Sequence, residues 1–187
     1  MAEYFKQIAG NIPDEMRSRT LKRNITILET WEDGLARIGA VIVHFQRIEE
    51  AISLCIAAMV SRERPIGEIV TSELSFRAKV NVFGALFLHR SRLANLPSDV
   101  SELIGRLCTA EQRRNVIVHS CWDANYHKPP TIKRQKVACK SKKGLHKVTE
   151  EIEPEELEGD IRDFDGVADD LLYFMDECLP KYAKRLK

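Results

Sequence analysis

Apolar residues recur every three or four positions over a long stretch of the chain, a spacing that only an α-helix places on one face. The stripe consists of Leu28, Trp31, Leu35, Ile38, Ile42, Phe45, Ile52, Ile56 and Met59. It predicts one long helix from Leu28 to Met59. Gly34 and Gly39 are candidate bend points, because glycine costs about 1 kcal/mol against alanine inside a helix. The polar Glu49 stands where the pattern demands an apolar residue.

Three further stretches have helical spacing. The first is Ser75–Arg92, in which Gly84 indicates a close helix crossing. The second begins around Pro97-Ser98-Asp99, with Ser98 as the N-cap, and continues to about Trp122. The third opens at Pro154, a residue type favoured in the first helical turn, and has a strongly acidic outer face. Short connections between long helices predict an all-α fold, a helical bundle of four to five long helices.

The whole chain, residues 1–187, is predicted to be a single domain. Residues 1–27 are an N-terminal extension with a short helix around Asp14–Arg23, and residues 125–152 are a basic insertion before the last helix. The insertion contains no acidic residue between Asn125 and Thr149, and Pro129-Pro130 breaks any helix there. Two stretches of moderate β-propensity flank a turn at Ser141–Gly144, so a β-hairpin and a loop both fit.

The composition is that of an ordinary globular protein, with 44% hydrophobic and 30% charged residues. A formal net charge of +1 means that any binding of nucleic acid must come from a local patch. Five cysteines without regular spacing argue against a disulfide framework and favour a reducing, cytoplasmic location. The N-terminus lacks the pattern of a secretory leader, and stretches such as Ile38–Phe45 are too short to span a bilayer, so we expect no membrane contact.

The third predicted helix carries polar residues where apolar ones are expected. One seam of this helix is formed by Leu103, Leu107, Ala110, Ile117 and Cys121, and Arg114 falls on it. A second seam, Ile104, Cys108, Val118 and Trp122, has Glu111 and Asn115 at its two middle positions. A guanidinium on such a stripe is costly unless it is paired or lines a cavity. His119 lies one turn beyond Asn115, which makes this polar island a candidate site.

The run Arg114-Asn115-x3-His119-Ser120, followed by Trp122, resembles the signature of the HEPN family. The upstream pieces Phe45-Gln46-x-Ile48-Glu49 and Ser75-Phe76-x-x-Lys79-Val80 are similar to helices of such proteins. HEPN domains are all-helical, and many are metal-independent ribonucleases that act as dimers. The resemblance implies that Arg114, Asn115 and His119 form a catalytic site and that the chain is a homodimer acting on RNA.

The residue types suit cleavage of RNA by its own 2′-hydroxyl. Histidine can transfer protons near neutral pH, since its unperturbed pKa is about 6.5. Arginine stays charged and can bind two phosphate oxygens. Residues five apart on an ideal helix are about 140° apart around its axis, so one chain cannot easily focus Arg114 and His119 on one phosphate. A dimer with a twofold axis presents the Arg114 face and the His119 face of this helix twice each. This agrees with an active site that is composed of residues from both chains.

Neighbouring residues have supporting roles in this hypothesis. Glu49 or Glu111 is expected to pair with Arg114 or orient it, although a solvated Glu49 fits as well. Arg113 is an alternative to Arg114 as the working arginine, but Asn115 directly after Arg114 favours the latter. Ser120 accompanies His119 without forming a triad, because adjacent helix residues point apart. The candidate RNA-binding residues are Lys79, for which a solvated lysine is the plainer interpretation, and Lys140, Lys142 and Lys143 in the basic insertion.

No cofactor and no metal are expected. His119, Cys121, His127, Cys139 and His146 are loosely clustered, but structural zinc sites use tight pairs such as Cys-x2-4-Cys. The leading hypothesis is a metal-independent endoribonuclease of HEPN type, a toxin or defence effector, with an antitoxin or regulatory protein as a further partner. HEPN members that are modified by a partner nucleotidyltransferase often carry Tyr where this chain has Cys121. The alternatives are a catalytically silent HEPN-like dimer that binds a nucleotide or a protein, and a helical adaptor without a role in nucleic acid binding.

Overall fold

The computed structural model describes residues 14–94, 100–125, 131–140 and 144–178. Its elements in chain order are α1 (Asp14–Val60), α2 (Arg64–Ser72), α3 (Phe76–Ala94), α4 (Ser101–Val118), β1 (Cys121–Asn125), β2 (Thr131–Lys140), β3 (Gly144–Ile152) and α5 (Pro154–Tyr173), which continues as a π-helical turn over Phe174–Cys178. The fold is therefore mostly α-helical with one small antiparallel sheet, which confirms the predicted class. Within the described residues, no helix has the length and apolarity needed to cross a membrane.

The long helix predicted from Leu28 to Met59 is longer than expected. It runs unbroken for 47 residues and includes the segment Asp14–Arg23, which we predicted as a separate short helix. The two are one helix because no proline or glycine stands between Arg23 and Leu28, and the Thr26 hydroxyl donates to the carbonyl oxygen of Lys22 within the helix. The apolar stripe is buried only in its later part, at Phe45, Ile52, Ile56 and Met59, whereas Leu28, Leu35 and Ile42 are exposed.

Contacts divide the described residues into two compact units, where the sequence predicts a single domain. The first unit takes its residues from Met1–Ala36 and Ser120–Pro154, which are the beginning of α1 and the sheet. The second takes its residues from Arg37–His119 and Glu155–Lys187 and holds the remaining helices. Each unit is thus assembled from two separate pieces of the chain.

The sheet of the first unit has the order β1-β2-β3, with antiparallel pairing throughout. The hairpin predicted as one form of the basic insertion is present as β2 and β3. Strand β1 was not predicted, and the expectation that the third helix reaches Trp122 is wrong. Trp122 and Ala124 pair with Arg134 and Ile132 of β2, so the residues after His119 follow a period of two instead of 3.6. Ile132 is fully buried, and its side chain abuts Gly34 of α1.

The core of the second unit is built from the predicted helical stripes. On α3, Phe76, Val80, Phe83 and Phe87 are all buried, as the spacing predicts. A Cβ on Gly84 would lie 2.9 Å from the Cδ1 atom of Ile104, which confirms the predicted close helix crossing, here between α3 and α4. Helix α4 begins at Ser101 with no side-chain cap at Val100, while the predicted N-cap Ser98 lies outside the described residues.

Basic side chains of α1 and α4 surround the acidic helix α5. The ion pairs are Arg37–Glu158, His44–Asp165, Arg47–Asp165, Arg106–Asp170, Arg113–Asp160 and Arg113–Asp163. The basic strand β2 has an acidic partner of its own, because Arg134 pairs across the sheet with Glu150 of β3. The charge of α5 is therefore matched by its helical neighbours.

Cys55 of α1 directly precedes Ile56 of the apolar stripe and is a core residue. It is fully buried, and its thiol donates to the carbonyl oxygen of Leu171 at 3.4 Å. Burial, and then the charge of Asp176, raises the pKa of the Cys55 thiol to about 12. Because a thiolate is the reactive form, this cysteine is not a nucleophile.

A glycine contact in the second unit gives a stability prediction. A Cβ on Gly67 of α2 would lie 2.4 Å from Cβ and 2.5 Å from Cα of Ala57, so α2 must move to accept any side chain. We expect Gly67→Ala to lower the free energy of unfolding by about 1–3 kcal/mol. The control is Gly39→Ala in α1, where the new methyl group meets nothing within 4 Å and should add up to about 1 kcal/mol. Urea unfolding of both variants checks this, and equal midpoints would contradict the tight packing at Gly67.

Candidate active site

The polar island lies on α4, as predicted. Leu107, Ala110 and Ile117 of the first seam are buried, and Arg114 lies between them with its side chain half-buried. The last predicted member of that seam, Cys121, belongs instead to β1 and is exposed. The second seam is not a core stripe, because Ile104 is only half-buried and Val118 is 41% exposed.

The guanidinium of Arg114 rests on an aromatic ring. Its Cζ atom is 4.5 Å from the ring centroid of Phe45 in α1, a distance that suits a cation–π contact. Phe45 is held in turn by Phe76, at 4.8 Å between centroids, and by Phe164, at 5.8 Å. The Nε atom of Arg114 is buried and has no hydrogen-bond partner within the described chain. The structure therefore fixes one face of this cation and leaves a buried donor unsatisfied.

Glu49 does not pair with Arg114. Its Oε1 atom accepts a hydrogen bond of 2.9 Å from Nζ of Lys79 in α3. The Lys79 side chain is only 9% exposed and that of Glu49 23%, so this pair is largely removed from water. Neither interpretation of Lys79 that the sequence allowed, a phosphate ligand or a solvated lysine, fits this buried position. A solvated Glu49 is ruled out in the same way.

Glu111, the other predicted partner of Arg114, is also occupied by a different cation. Its Oε2 atom lies 2.5 Å from Nη2 of Arg77 in α3, although the angles do not suit a hydrogen bond and the contact is an ion pair only. The same guanidinium donates from Nη1 to the Cys108 sulfur at 3.0 Å. Arg77 thus binds two side chains one turn apart on α4. It stands between Phe76 and Lys79 in the sequence, but nothing in its spacing distinguishes it from a solvated arginine.

Arg113 points to α5 and not toward the island. Its Nη1 atom donates to Asp163 at 2.5 Å and to Asp160 at 2.9 Å. Burial lowers the pKa of Arg113, but its hydrogen bonds with Asp163 and Asp160 and their charges outweigh this, so the pKa is raised. Arg113 is therefore neutralised by two carboxylates. Within the described residues no carboxylate pairs with Arg114, which makes Arg114 the arginine available to an external anion.

His119 caps the C-terminal end of α4. Its backbone has left the helix, with φ −98° and ψ 15°, and its N–H donates to the carbonyl oxygen of Asn115 at 3.1 Å. The side chain of His119 is exposed, whereas Asn115 and Ser120 are half-buried. Strand β1 begins two residues later, so the connection after His119 is short. The histidine is thus held at a fixed turn and is open to solvent.

The basic insertion is only partly described. Lys136 and Lys147 are exposed on β2 and β3. Lys142 and Lys143 lie outside the described residues, and of Lys140 only the backbone is described, at the end of β2. Among the residues that the structure describes, no three or more His, Cys, Asp or Glu side chains are arranged to hold a metal ion.

Comparison of the chain with protein-family models, with curated proteins and with solved structures found no match. The resemblance to HEPN domains therefore remains a hypothesis based on the residues themselves.

Proposed function

We propose that this protein is a metal-independent endoribonuclease of HEPN type. The observation that supports this best is the state of Arg114. It is stacked on Phe45 with a buried, unpartnered Nε, while Glu49 and Glu111 are bound to other cations. No carboxylate of the described residues neutralises this half-buried guanidinium, so its charge is left for a phosphate oxygen of a bound RNA. The side chain of His119, five residues later, is exposed to solvent and is therefore accessible to the same RNA.

In this proposal the RNA 2′-hydroxyl attacks the adjacent phosphorus. One His119 takes the hydroxyl proton, and a second gives a proton to the leaving 5′-oxygen. Arg114 binds the non-bridging oxygens and stabilises the charge of the phosphorane. The products are a 2′,3′-cyclic phosphate and a 5′-hydroxyl, so water is not consumed in this step. Asn115 fixes the turn at His119 through its backbone carbonyl.

The mechanism needs two histidines at one phosphate, and among the described residues of one chain only His119 stands at this site. We therefore propose a twofold homodimer in which two copies of His119 share a cleft. The exposed lysines of the sheet, together with Lys140, Lys142 and Lys143, supply RNA binding through phosphate contacts. Activity of this kind suits a toxin or defence effector that is restrained by an antitoxin or regulatory protein.

The direct test is cleavage of a single-stranded RNA by the purified full-length protein. We expect cleavage that persists in excess EDTA and leaves 2′,3′-cyclic phosphate and 5′-hydroxyl ends. The matched substrate is the same sequence made with 2′-deoxyribose, which lacks the nucleophile and must stay intact. Cleavage of the deoxy substrate, or loss of activity with EDTA, would show that the mechanism is wrong.

A second candidate function is a catalytically silent HEPN-like dimer that binds a nucleotide or a protein. It is favoured by the stack of Arg114 on Phe45, since a cation–π contact is also a common structural use of arginine. In that case the protein binds RNA or a nucleotide without cutting it. Binding without cleavage in the experiment above would select this function.

A further inference from the structure

A groove of the first unit lies between α1 and the strand β1. It has a volume of about 460 Å³, within the range of about 300–1,000 Å³ that is usual for small-ligand sites. The residues that line it are Asn24, Ile27, Leu28 and Trp31 of α1, and Asp123 and Ala124 of β1. The four helical residues follow the spacing i, i+3, i+4, i+7, so they share one face of α1. Strand β1 is at the edge of the sheet, whose order is β1-β2-β3.

The carboxylate of Asp123 makes this edge a poor place for an added strand. Its Oδ1 atom accepts a hydrogen bond of 2.8 Å from the backbone N–H of Ala124, the next residue. A backbone N–H that is bonded to a side chain is not offered to an extended peptide, which would bind a sheet edge through such donors. We therefore expect the occupant of the groove to be a compact group and not a peptide strand.

Three polar groups of the groove are available to such a ligand. Within the described residues, neither the indole N–H of Trp31 nor the side-chain amide of Asn24 takes part in a hydrogen bond. The Oδ2 atom of Asp123 is likewise without a partner in the part of the chain that the structure describes. The groove thus combines an aromatic ring and two apolar side chains, Ile27 and Leu28, with a carboxylate and an amide.

This combination of groups suits a nucleobase, and the carboxylate selects which one. Bases of single-stranded RNA are bound by stacking on aromatic side chains and by hydrogen bonds to their Watson–Crick edges. A carboxylate accepts hydrogen bonds but donates none. The Watson–Crick edge of guanine carries two adjacent donors, N1–H and the N2 amine. Adenine, cytosine and uracil each place an acceptor beside their donor, and a carboxylate repels that acceptor.

We propose that this groove binds one guanine base of a single-stranded RNA. The base stacks on Trp31, and its N1–H and N2 amine donate to the carboxylate of Asp123. The amide of Asn24 is the donor available for guanine O6. The choice of RNA as the source of the base rests on the proposed function, whereas the recognition of guanine does not. Because the groove belongs to the first unit and Arg114 and His119 belong to the second, binding and cleavage can be tested separately.

The test is calorimetric titration of the full chain with a 2′-O-methyl RNA pentamer, which lacks the nucleophilic hydroxyl and stays intact. Its central base is guanine, hypoxanthine or adenine, between uridines. Hypoxanthine lacks only the N2 amine, so its Kd should be about tenfold higher than that of guanine, and the Kd of adenine higher still. Equal Kd values for the three pentamers, or tighter binding of adenine, would overturn the proposal.

Two substitutions separate recognition of the base from stacking. Asp123→Asn keeps the shape of the side chain and an oxygen for the N–H of Ala124, but it replaces an acceptor by a donor. It should raise the Kd of the guanine pentamer by about tenfold and remove its advantage over adenine. Trp31→Leu should raise the Kd of all three pentamers by about tenfold and keep their order, since stacking depends little on the base.

The matched control is Glu32→Gln. It also changes a carboxylate to an amide, at an exposed position of α1 that does not line the groove, so it should bind all three pentamers as the parent does. Circular dichroism checks that each variant keeps its helices. A preference for guanine that survives Asp123→Asn, or that Glu32→Gln removes as well, would overturn the assignment of Asp123.

The fluorescence of Trp31 tests where the base binds. The chain has two tryptophans, so Trp122→Phe leaves Trp31 as the single fluorophore of this kind. Saturation with the guanine pentamer should quench it, because the base then stacks on the indole. Binding that leaves Trp31 unquenched would place the base elsewhere and overturn the proposal. Guanosine monophosphate that binds as tightly as the pentamer would show a free nucleotide as the ligand and overturn the choice of RNA.

Failure of this proposal and failure of the ribonuclease are distinguishable. Cleavage of ordinary RNA by a protein that binds the three pentamers equally would overturn the guanine site and leave the ribonuclease intact. A preference for guanine that depends on Asp123, in a protein that cuts no RNA, would support the guanine site and overturn the ribonuclease.

Discussion

Replacement of His119 by alanine is expected to reduce the rate of RNA cleavage by about 10²–10⁴-fold, the usual contribution of one acid–base group. The thermal midpoint should hardly change, because the His119 side chain is exposed and only its backbone is held, by Asn115. Single-turnover cleavage at saturating RNA measures the effect without interference from binding. The control is His89→Ala, which removes another exposed histidine of the same unit, on α3.

The neighbouring arginines provide a second comparison in the same assay. Arg114→Ala should abolish cleavage as His119→Ala does, because it removes the cation for the phosphorane. Arg113→Ala should leave cleavage close to the parent rate, since Arg113 is occupied by Asp160 and Asp163. If Arg113→Ala were the inactive variant, or if His119→Ala cut RNA normally, the assignment of the site would be wrong.

The variant Lys79→Met should lower the free energy of unfolding by about 2–3 kcal/mol. Removing one partner of a fully buried ion pair costs about 3–5 kcal/mol, and the 23% exposure of Glu49 reduces the penalty for the carboxylate left behind. For a chain of this size the thermal midpoint should fall by about 5–10 °C. Calorimetry or urea unfolding measures either quantity.

Adding Glu49→Leu to Lys79→Met should recover most of that loss, because the charge that has lost its partner is then gone. As a control, Arg64→Met breaks the exposed Arg64–Glu68 pair of α2 and should cost less than about 1 kcal/mol. A Lys79→Met variant as stable as the parent would show that water reaches Glu49 freely.

The spacing of apolar residues predicted the helices that pack one apolar face into the core. The stripe of α3 and the residues Leu107, Ala110 and Ile117 of the first α4 seam are buried where the spacing puts them, because helix geometry alone fixes which residues share a face. The same reasoning placed Arg114 on a buried seam. It also identified Gly84 as a contact point, since only a residue without a side chain allows that approach of Ile104.

What the sequence did not predict depends on partners distant along the chain. Strand β1 exists because Trp122 and Ala124 find a ladder on β2, an interaction that overrides the local helical pattern. The partners of Glu49 and Glu111 were wrong for a similar reason. The sequence allows several basic residues of α3 and α4 to pair with these two glutamates. Only the packing of the folded chain brings Lys79 to Glu49 and Arg77 to Glu111.

The interleaved order of the two units affects how the protein is made. Residues 37–119 separate the two pieces of the first unit, and residues 120–154 separate those of the second. A ribosome must therefore translate to about Pro154 before the first unit has all its parts, and further before the second does. Until then neither the sheet nor α5 covers the apolar side of α1. Because exposed apolar surface promotes aggregation, we expect chaperones to bind the nascent chain. For the same reason, neither unit can be produced by simply shortening the gene.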